Sequence, residues 1–210
     1  MRSSDQPERH PSLDAKIVGA LDRAGEALRV LARRAAAARD LSVTQMRVLA
    51  RLYAGPPPEA LTSELARELD VSDPTVSDAL GALRRKGLVE RSADPADRRR
   101  QVLRLTPSGH SLGAAVSRWT APAEVATSGI SQADGEALLS ALLDVLARMQ
   151  AAGLISVTRA CTTCAYFSRD KVTGRPVLRC GYFGSTLRPS DLRVDCAQHA
   201  LLEPEAQVRA

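Results

Sequence analysis

The stretch LTSELARELDVSDPTVSDALGALRRKGLVERSADPADRRRQVLRLTPSG, residues 61–109, decides the fold. Its first part spaces apolar residues as helices do. Leu65 and Leu69 mark a short helix capped by Thr62, and Val76, Leu80 and Leu83 mark a longer one at i, i+4 and i+7. Between them Val71–Asp73 reads as a turn. Pro74 falls in the first turn of the second helix, where a missing N–H costs nothing, and Gly87 ends that helix. The period then changes from 3.6 to 2. Leu88–Ser92 and Val102–Leu105 flank a polar Asp-Pro-Ala-Asp tip and predict a two-stranded hairpin. Helix, tight turn, helix and basic hairpin make a winged helix-turn-helix, an arrangement that lays one helix in a DNA major groove and sends the hairpin to a neighbouring groove.

The charge agrees with that reading. The chain carries 29 Lys and Arg against 24 Asp and Glu, a net charge of +5. Between Arg84 and Arg104 stand eight basic residues and three acidic ones, so this one segment holds the excess of the whole chain. Charge concentrated in this way points to a polyanionic partner rather than to a generally solvated surface.

Outward from this core the pattern is helical. Leu13, Ile17, Leu21, Leu28 and Leu31 recur at helical spacing within a helix over 13–39. SVTQMRVLARLYAG predicts a second, with Ser42 or Thr44 as cap, Met46, Leu49 and Leu52 as its apolar stripe, and Gly55 with the following prolines as its stop. Helix resumes at Pro107, with a break expected near Pro122–Gly129. It returns over 131–150, where Leu138, Leu139, Leu142, Val145, Leu146 and Met149 make a broad apolar face that must pack on the first helix or on a second subunit. No apolar run approaches the roughly 20 residues of a membrane span. The polar start MRSSDQPERHP lacks the apolar centre of a secretory signal, so a cytoplasmic location is expected.

The quoted stretch resembles the core of the MarR family of bacterial regulators, most specifically in its DPADRRR wing, its GLVER strand and its LTPSG entry to the next helix. The resemblance covers roughly residues 12–150. It implies a homodimer, built by pairing the first helix with the last two, on a pseudo-palindromic double-stranded operator, and it allows a small-molecule effector between winged domain and dimer helices. Carried over by position, Arg98 is expected in the minor groove, with Asp97 orienting the neighbouring guanidiniums and Arg99 and Arg100 also on the DNA-binding wing. Pro74, Thr75, Ser77 and Asp78 would face base edges. Arg84, Arg85 and Lys86 would neutralise phosphates, giving affinity and salt dependence but no sequence information. The recognition helix offers no Arg, Asn or Gln in its leading turns, the usual bidentate readers of guanine and adenine, so specificity is expected to lean on the wing and on DNA shape.

All four cysteines lie further on, as Cys161-x2-Cys164-x15-Cys180-x15-Cys196, with His199 three residues beyond the last. Cysteines clustered in a reducing compartment bind metal more often than they form disulfides. A tetrahedral zinc could take all four thiolates, or exchange one for His199. The aromatics favour a different centre. Tyr166 and Phe167 follow Cys164 at the offsets at which Tyr182 and Phe183 follow Cys180, in a chain with only two phenylalanines and three tyrosines. CTTCAYF…CGYF…C is similar to the cluster-binding stretch of high-potential iron–sulfur proteins. Bulky apolar groups exclude water from such a cluster and tune it, a need that redox-inert zinc does not have. The expected cofactor is therefore a 4Fe–4S cluster on Cys161, Cys164, Cys180 and Cys196, with zinc and a bare thiol switch as alternatives and His199 outside the ligand set.

The expected fold is mostly α with a small β-wing: a disordered 1–11, a winged helix-turn-helix with dimerisation helices over 12–152, a metal-binding appendage over 153–200 and a tail over 201–210. The appendage has too little apolar mass to fold alone, so a metal is expected to stabilise it. The expected function is a DNA-binding transcriptional regulator, a repressor by family habit, with a metal-bearing sensor tail. Its rival is a regulator answering a small-molecule effector, with zinc as a structural clamp. An enzyme is not expected: the CxxC lacks a strand–CxxC–helix context, and His10, His110 and His199 are far apart in sequence.

Overall fold

The structure, a computed structural model, describes residues 11–55, 62–93, 101–156, 158–172 and 175–201. Local signals place the helices. In α1 (Leu13–Ala37) the Ser12 side chain accepts the Ala15 N–H at 3.2 Å. In α2 (Val43–Tyr53) a reciprocal box forms: Ser42 Oγ accepts the Gln45 N–H at 3.1 Å, and Gln45 Oε1 accepts the Ser42 N–H at 3.2 Å. Next comes α3 (Thr62–Leu69), and Ser72 caps α4 (Asp73–Arg85). The corner between α3 and α4 turns at Asp70, whose φ is 53°, and closes with the Val71 N–H on the Ala66 carbonyl.

The wing follows as β1 (Val89–Ala93) and β2 (Gln101–Leu105), antiparallel with Val89 opposite Leu105. The predicted Asp-Pro-Ala-Asp tip, with Asp97, Arg98, Arg99 and Arg100, lies outside the described residues. Then come α5 (Pro107–Val116), α6 (Ala121–Thr127) and α7 (Gln132–Ala151). The first break is Ser117–Thr120, earlier than predicted, because Pro122 stands in the first turn of α6 and starts a helix there instead of ending one.

One core lies under the winged part. α2 runs through its centre, with Met46, Val48 and Leu49 fully buried against Leu65 of α3, Val76 and Leu83 of α4, and Val116 of α5. Ala66 takes the buried place in α3, and Leu69, expected inside, is half-buried.

The cysteine segment is more regular than its sequence pattern predicted. After a 3-10 turn at Cys161–Thr163, strands β3 (Phe167–Val172), β4 (Arg175–Cys180) and β5 (Ser185–Leu187) form an antiparallel sheet in that order. Its apolar mass is small, as expected, but it borrows the missing core from α7. Leu143, Ala160 and Leu192 are buried together, with Leu139, Leu146, Phe167, Leu178 and Leu187 packed around them. Thr162 Oγ1 donates to the Leu143 carbonyl at 3.0 Å, and Arg169 pairs with Asp144 at 3.1 Å. Part of the α7 face assigned to a dimer partner is thus covered by the chain's own tail. Ile17 and Leu28 of α1 remain exposed, and Leu142, Val145 and Met149 of α7 are half-buried. Among the described residues no helix is long and apolar enough to cross a membrane.

Candidate nucleic-acid interface and cysteine cavity

The recognition helix α4 is two-sided. Val76, Ala79, Leu80 and Leu83 fix one side in the core, which leaves Pro74, Thr75, Ser77 and Asp78 exposed together on the other. The Thr75 hydroxyl is 2.8 Å from Ser72 Oγ, so this base-edge candidate is held by the cap. The LTPSG motif explains how the wing is set against this helix. Thr106 Oγ1 donates to the Gly87 carbonyl at 2.7 Å and accepts the Gly109 N–H at 3.0 Å, and Ser108 Oγ also reaches the Gly87 carbonyl, at 3.1 Å. Gly109 packs directly on the Leu88 backbone. The end of α4, the base of the wing and the start of α5 are thereby one fixed corner.

Arg84 and Arg85 are exposed and, with Arg91 and Glu90, line an open groove between α4 and β1. Lys86 is placed differently from the expectation. Its Nζ bonds the carboxylate of Asp40 at 2.7 Å and the Asp40 carbonyl, which ties the end of α4 to the α1–α2 loop. The Lys86 bond holds the Asp40 carboxyl below its ordinary value. Lys86 thus braces the end of α4, and Arg84 and Arg85 stay exposed beside the groove.

The four cysteines, all free thiols, line a single cavity of about 260 Å³ together with Tyr166, Phe167, Tyr182, Phe183, Leu187 and Arg193. Cys164 and Cys196 are buried, and Cys161 and Cys180 half-buried. Strand register brings the repeated aromatic motif to the cavity, since Phe167 stands opposite Cys180 in the β3–β4 ladder. Of the four aromatics Phe167 is the half-buried one, packed against the Leu143 cluster. Tyr166, Tyr182 and Phe183 form a half-exposed rim, Tyr182 lying edge-on to Tyr166 at 5.5 Å and to Phe183 at 4.9 Å. Arg193 closes the rim. Its guanidinium lies 4.9 Å over the Phe183 ring and 3.8 Å from Cys196 Sγ, and its backbone N–H donates to Cys161 Sγ at 3.2 Å. Burial pushes the Cys161 thiol up, its neighbouring cysteines add to the rise, and the Arg193 N–H opposes it. His199 does not line the cavity. Its Nε2 is 3.0 Å from Thr163 Oγ1, and burial lowers its pKa, which keeps it neutral near pH 7. Among the described residues no three His, Cys, Asp or Glu side chains converge on a point that one metal ion could occupy.

Sequence reasoning missed the contact between this module and the DNA-reading head. Arg159, just ahead of the first cysteine, reaches Glu68 of α3 at 2.5 Å, and Glu68 also takes Arg51 of α2 at 2.5 Å. Residues 91 apart in sequence leave no periodic signal of such a pair.

A two-helix reading motif with a hairpin wing, an open polar helix face and a basic end defines a winged helix-turn-helix of the DNA-binding class. Residues 39–100 match the model of the MarR family. Solved structures agree. The S. aureus MepR–DNA complex is 25% identical with a TM-score of 0.54, over 66% of this chain and 99% of that one. A S. aureus MepR variant is 27% identical with a TM-score of 0.50, over 63% and 98%. CouR from Rhodococcus jostii RHA1, bound to p-coumaroyl-CoA, has the same fold at 22% identity and a TM-score of 0.54, over 65% and 95%. About a third of this chain lies outside each match. Among curated proteins there is no match.

Proposed function

We propose that the protein is a dimeric, sequence-specific DNA-binding transcriptional regulator whose four-cysteine module holds a 4Fe–4S cluster and adjusts operator affinity. The observation that carries the DNA-binding part is the open polar face of α4, fixed by the LTPSG corner beside Arg84, Arg85 and the wing. The likeness to MepR in its DNA complex supports it.

The residues of the cavity fit a cluster better than a single ion. One zinc draws four thiolates to about 2.3 Å from a common centre. Here four thiols line one cavity of about 260 Å³ walled by Phe167 and the aromatic rim, which offers room for a cluster. A cluster spreads its ligands, because each thiolate binds a different iron. Cys161, Cys164, Cys180 and Cys196 would hold it, and Phe167 with the rim would limit water. The Arg193 N–H and guanidinium would offset thiolate charge, an arrangement that tunes such centres. When bound, the cluster supplies an oxidisable, oxygen-sensitive centre, and the chain's own residues set how exposed it is.

Protein purified without oxygen is expected to be brown, with about four iron and four sulfide per chain. Each single Cys→Ser change should bleach it, and His199→Ala should not. Colourless protein with about one zinc per chain, unchanged by iron and sulfide reconstitution, would leave the module as a structural clamp. The sensor part is tested on an operator selected from random duplexes. Equal affinity of loaded and emptied protein would mean that the module stabilises and senses nothing.

A further inference from the structure

We infer that Arg159 carries the state of the cysteine module to the DNA-reading head, with Glu68 as its receiver. The inference rests on the reading of that module as a sensor. On the module side Arg159 grips Cys196 twice. Its carbonyl accepts the Cys196 N–H at 3.0 Å, and its side chain returns to the Cys196 carbonyl from Nε at 3.1 Å and Nη2 at 2.8 Å. Cys196 lines the cavity. A shift of its backbone therefore moves the guanidinium with it. On the head side the remaining fork of that guanidinium, Nη1, meets Glu68.

Glu68 is placed to pass the shift on. It lies in the last turn of α3, two residues before Asp70, where the chain turns into the recognition helix. Arg51 of α2 holds its other side, so Glu68 bridges the module and the centre of the winged core. A second contact meets the same corner, as Ser156 Oγ donates to Asp70 Oδ1 at 2.6 Å. The three charged side chains retain only 9%, 15% and 14% of their exposure, for Arg51, Glu68 and Arg159. Withdrawing Arg159 would leave Glu68 to Arg51 alone and Arg159 to the more exposed Asp195, 3.1 Å from its Nε, so two poorly hydrated charges would lose their closest mutual contact. Displacing Arg159 must then either pull Glu68 and the α3–α4 corner along or break the triad. An exposed surface pair would let the same motion dissipate.

Four forms test this: wild type and Cys196→Ser, each with and without Glu68→Gln. Two readouts are hydrogen exchange of the backbone over 66–76 and affinity for the selected operator. Cys196→Ser should change exchange over 66–76 at least fivefold, and Glu68→Gln should reduce that response to less than twofold without lowering metal content. Arg159→Lys keeps the charge and loses the fork, and should act as Glu68→Gln does. It serves as the second variant should Glu68→Gln not fold. Exchange that ignores Cys196→Ser in the wild-type background overturns the inference. So does a response that survives both Glu68→Gln and Arg159→Lys, although operator affinity that still follows Cys196→Ser would leave the sensor reading standing. An exchange response abolished by Glu68→Gln, with one operator affinity throughout, would uphold the relay and refute the sensor.

Discussion

A Cβ built on Gly109 would lie 1.8 Å from the carbonyl oxygen of Leu88, a backbone atom that cannot rotate away. Gly109→Ala must therefore push the start of α5 off the base of the wing. Overpacking a fixed contact costs about 1–3 kcal/mol, and backbone on both sides puts this one at the upper end. Chemical denaturation should show that loss, and operator affinity should fall with it because the wing is set from this corner. The charged triad gives a second residue-scale prediction. Burial acting alone would raise Glu68, but Arg51 and Arg159 together hold its carboxyl below the ordinary value of 4.5. A carboxyl lowered in the fold contributes stability that is complete above its unfolded pKa and disappears as pH falls through the folded one. Wild type should thus lose stability below about pH 4.5 more steeply than Glu68→Gln, as read from urea midpoints between pH 6 and 3. Single residues were unevenly legible. The LTPSG motif marked Gly109, but its reason is a backbone contact across the fold. The bond of Lys86 to Asp40 was not legible, because a basic run shows charge and hides a partner 46 positions away.

At the scale of elements, the recognition helix and the wing make separable contributions. Arg84 sits at the exposed end of α4 beside the open groove. Arg84→Ala should weaken binding to all duplexes alike and reduce the slope of log affinity against log salt by about one unit. Arg98→Ala, in the wing by family resemblance, should also flatten discrimination between operator and random duplex. Fluorescence anisotropy across a salt series separates the two, and an unchanged operator preference in Arg98→Ala would break the carry-over to this wing. The helices of the winged part were legible because their apolar positions recur at one period and their caps are local. The strands after Cys164 were not. FSRDKV and RPVLRC have apolar residues, but these do not alternate, since Phe167 and Leu178 are the ones packed around the α7 cluster. A sheet that borrows its core shows no alternation strong enough to announce itself.

Over the whole molecule, α7 has two duties. One part of its surface is the floor of the cysteine module, through Leu139, Leu143 and Leu146. Leu142 lies beside that part, half-buried, and Ile17 and Leu28 of α1 are exposed. These residues are the proposed dimer surface. Leu142→Asp should dissociate the dimer in light scattering, since a carboxylate enclosed at an interface without a partner costs several kcal/mol. A variant that stayed dimeric would move the interface elsewhere. The floor has a consequence for ancestry. Because Leu143 is fully buried in one cluster with Ala160, Leu192 and their neighbours, the module is not a detachable tag. A chain cut after residue 152 would bare an apolar stripe on α7 and should aggregate rather than persist as an unregulated regulator. Lineages of this fold that never acquired the tail should carry a polar or small side chain where Leu143 stands. That one position would then record whether an ancestor possessed the cysteine module, even in descendants whose cysteines have since been lost.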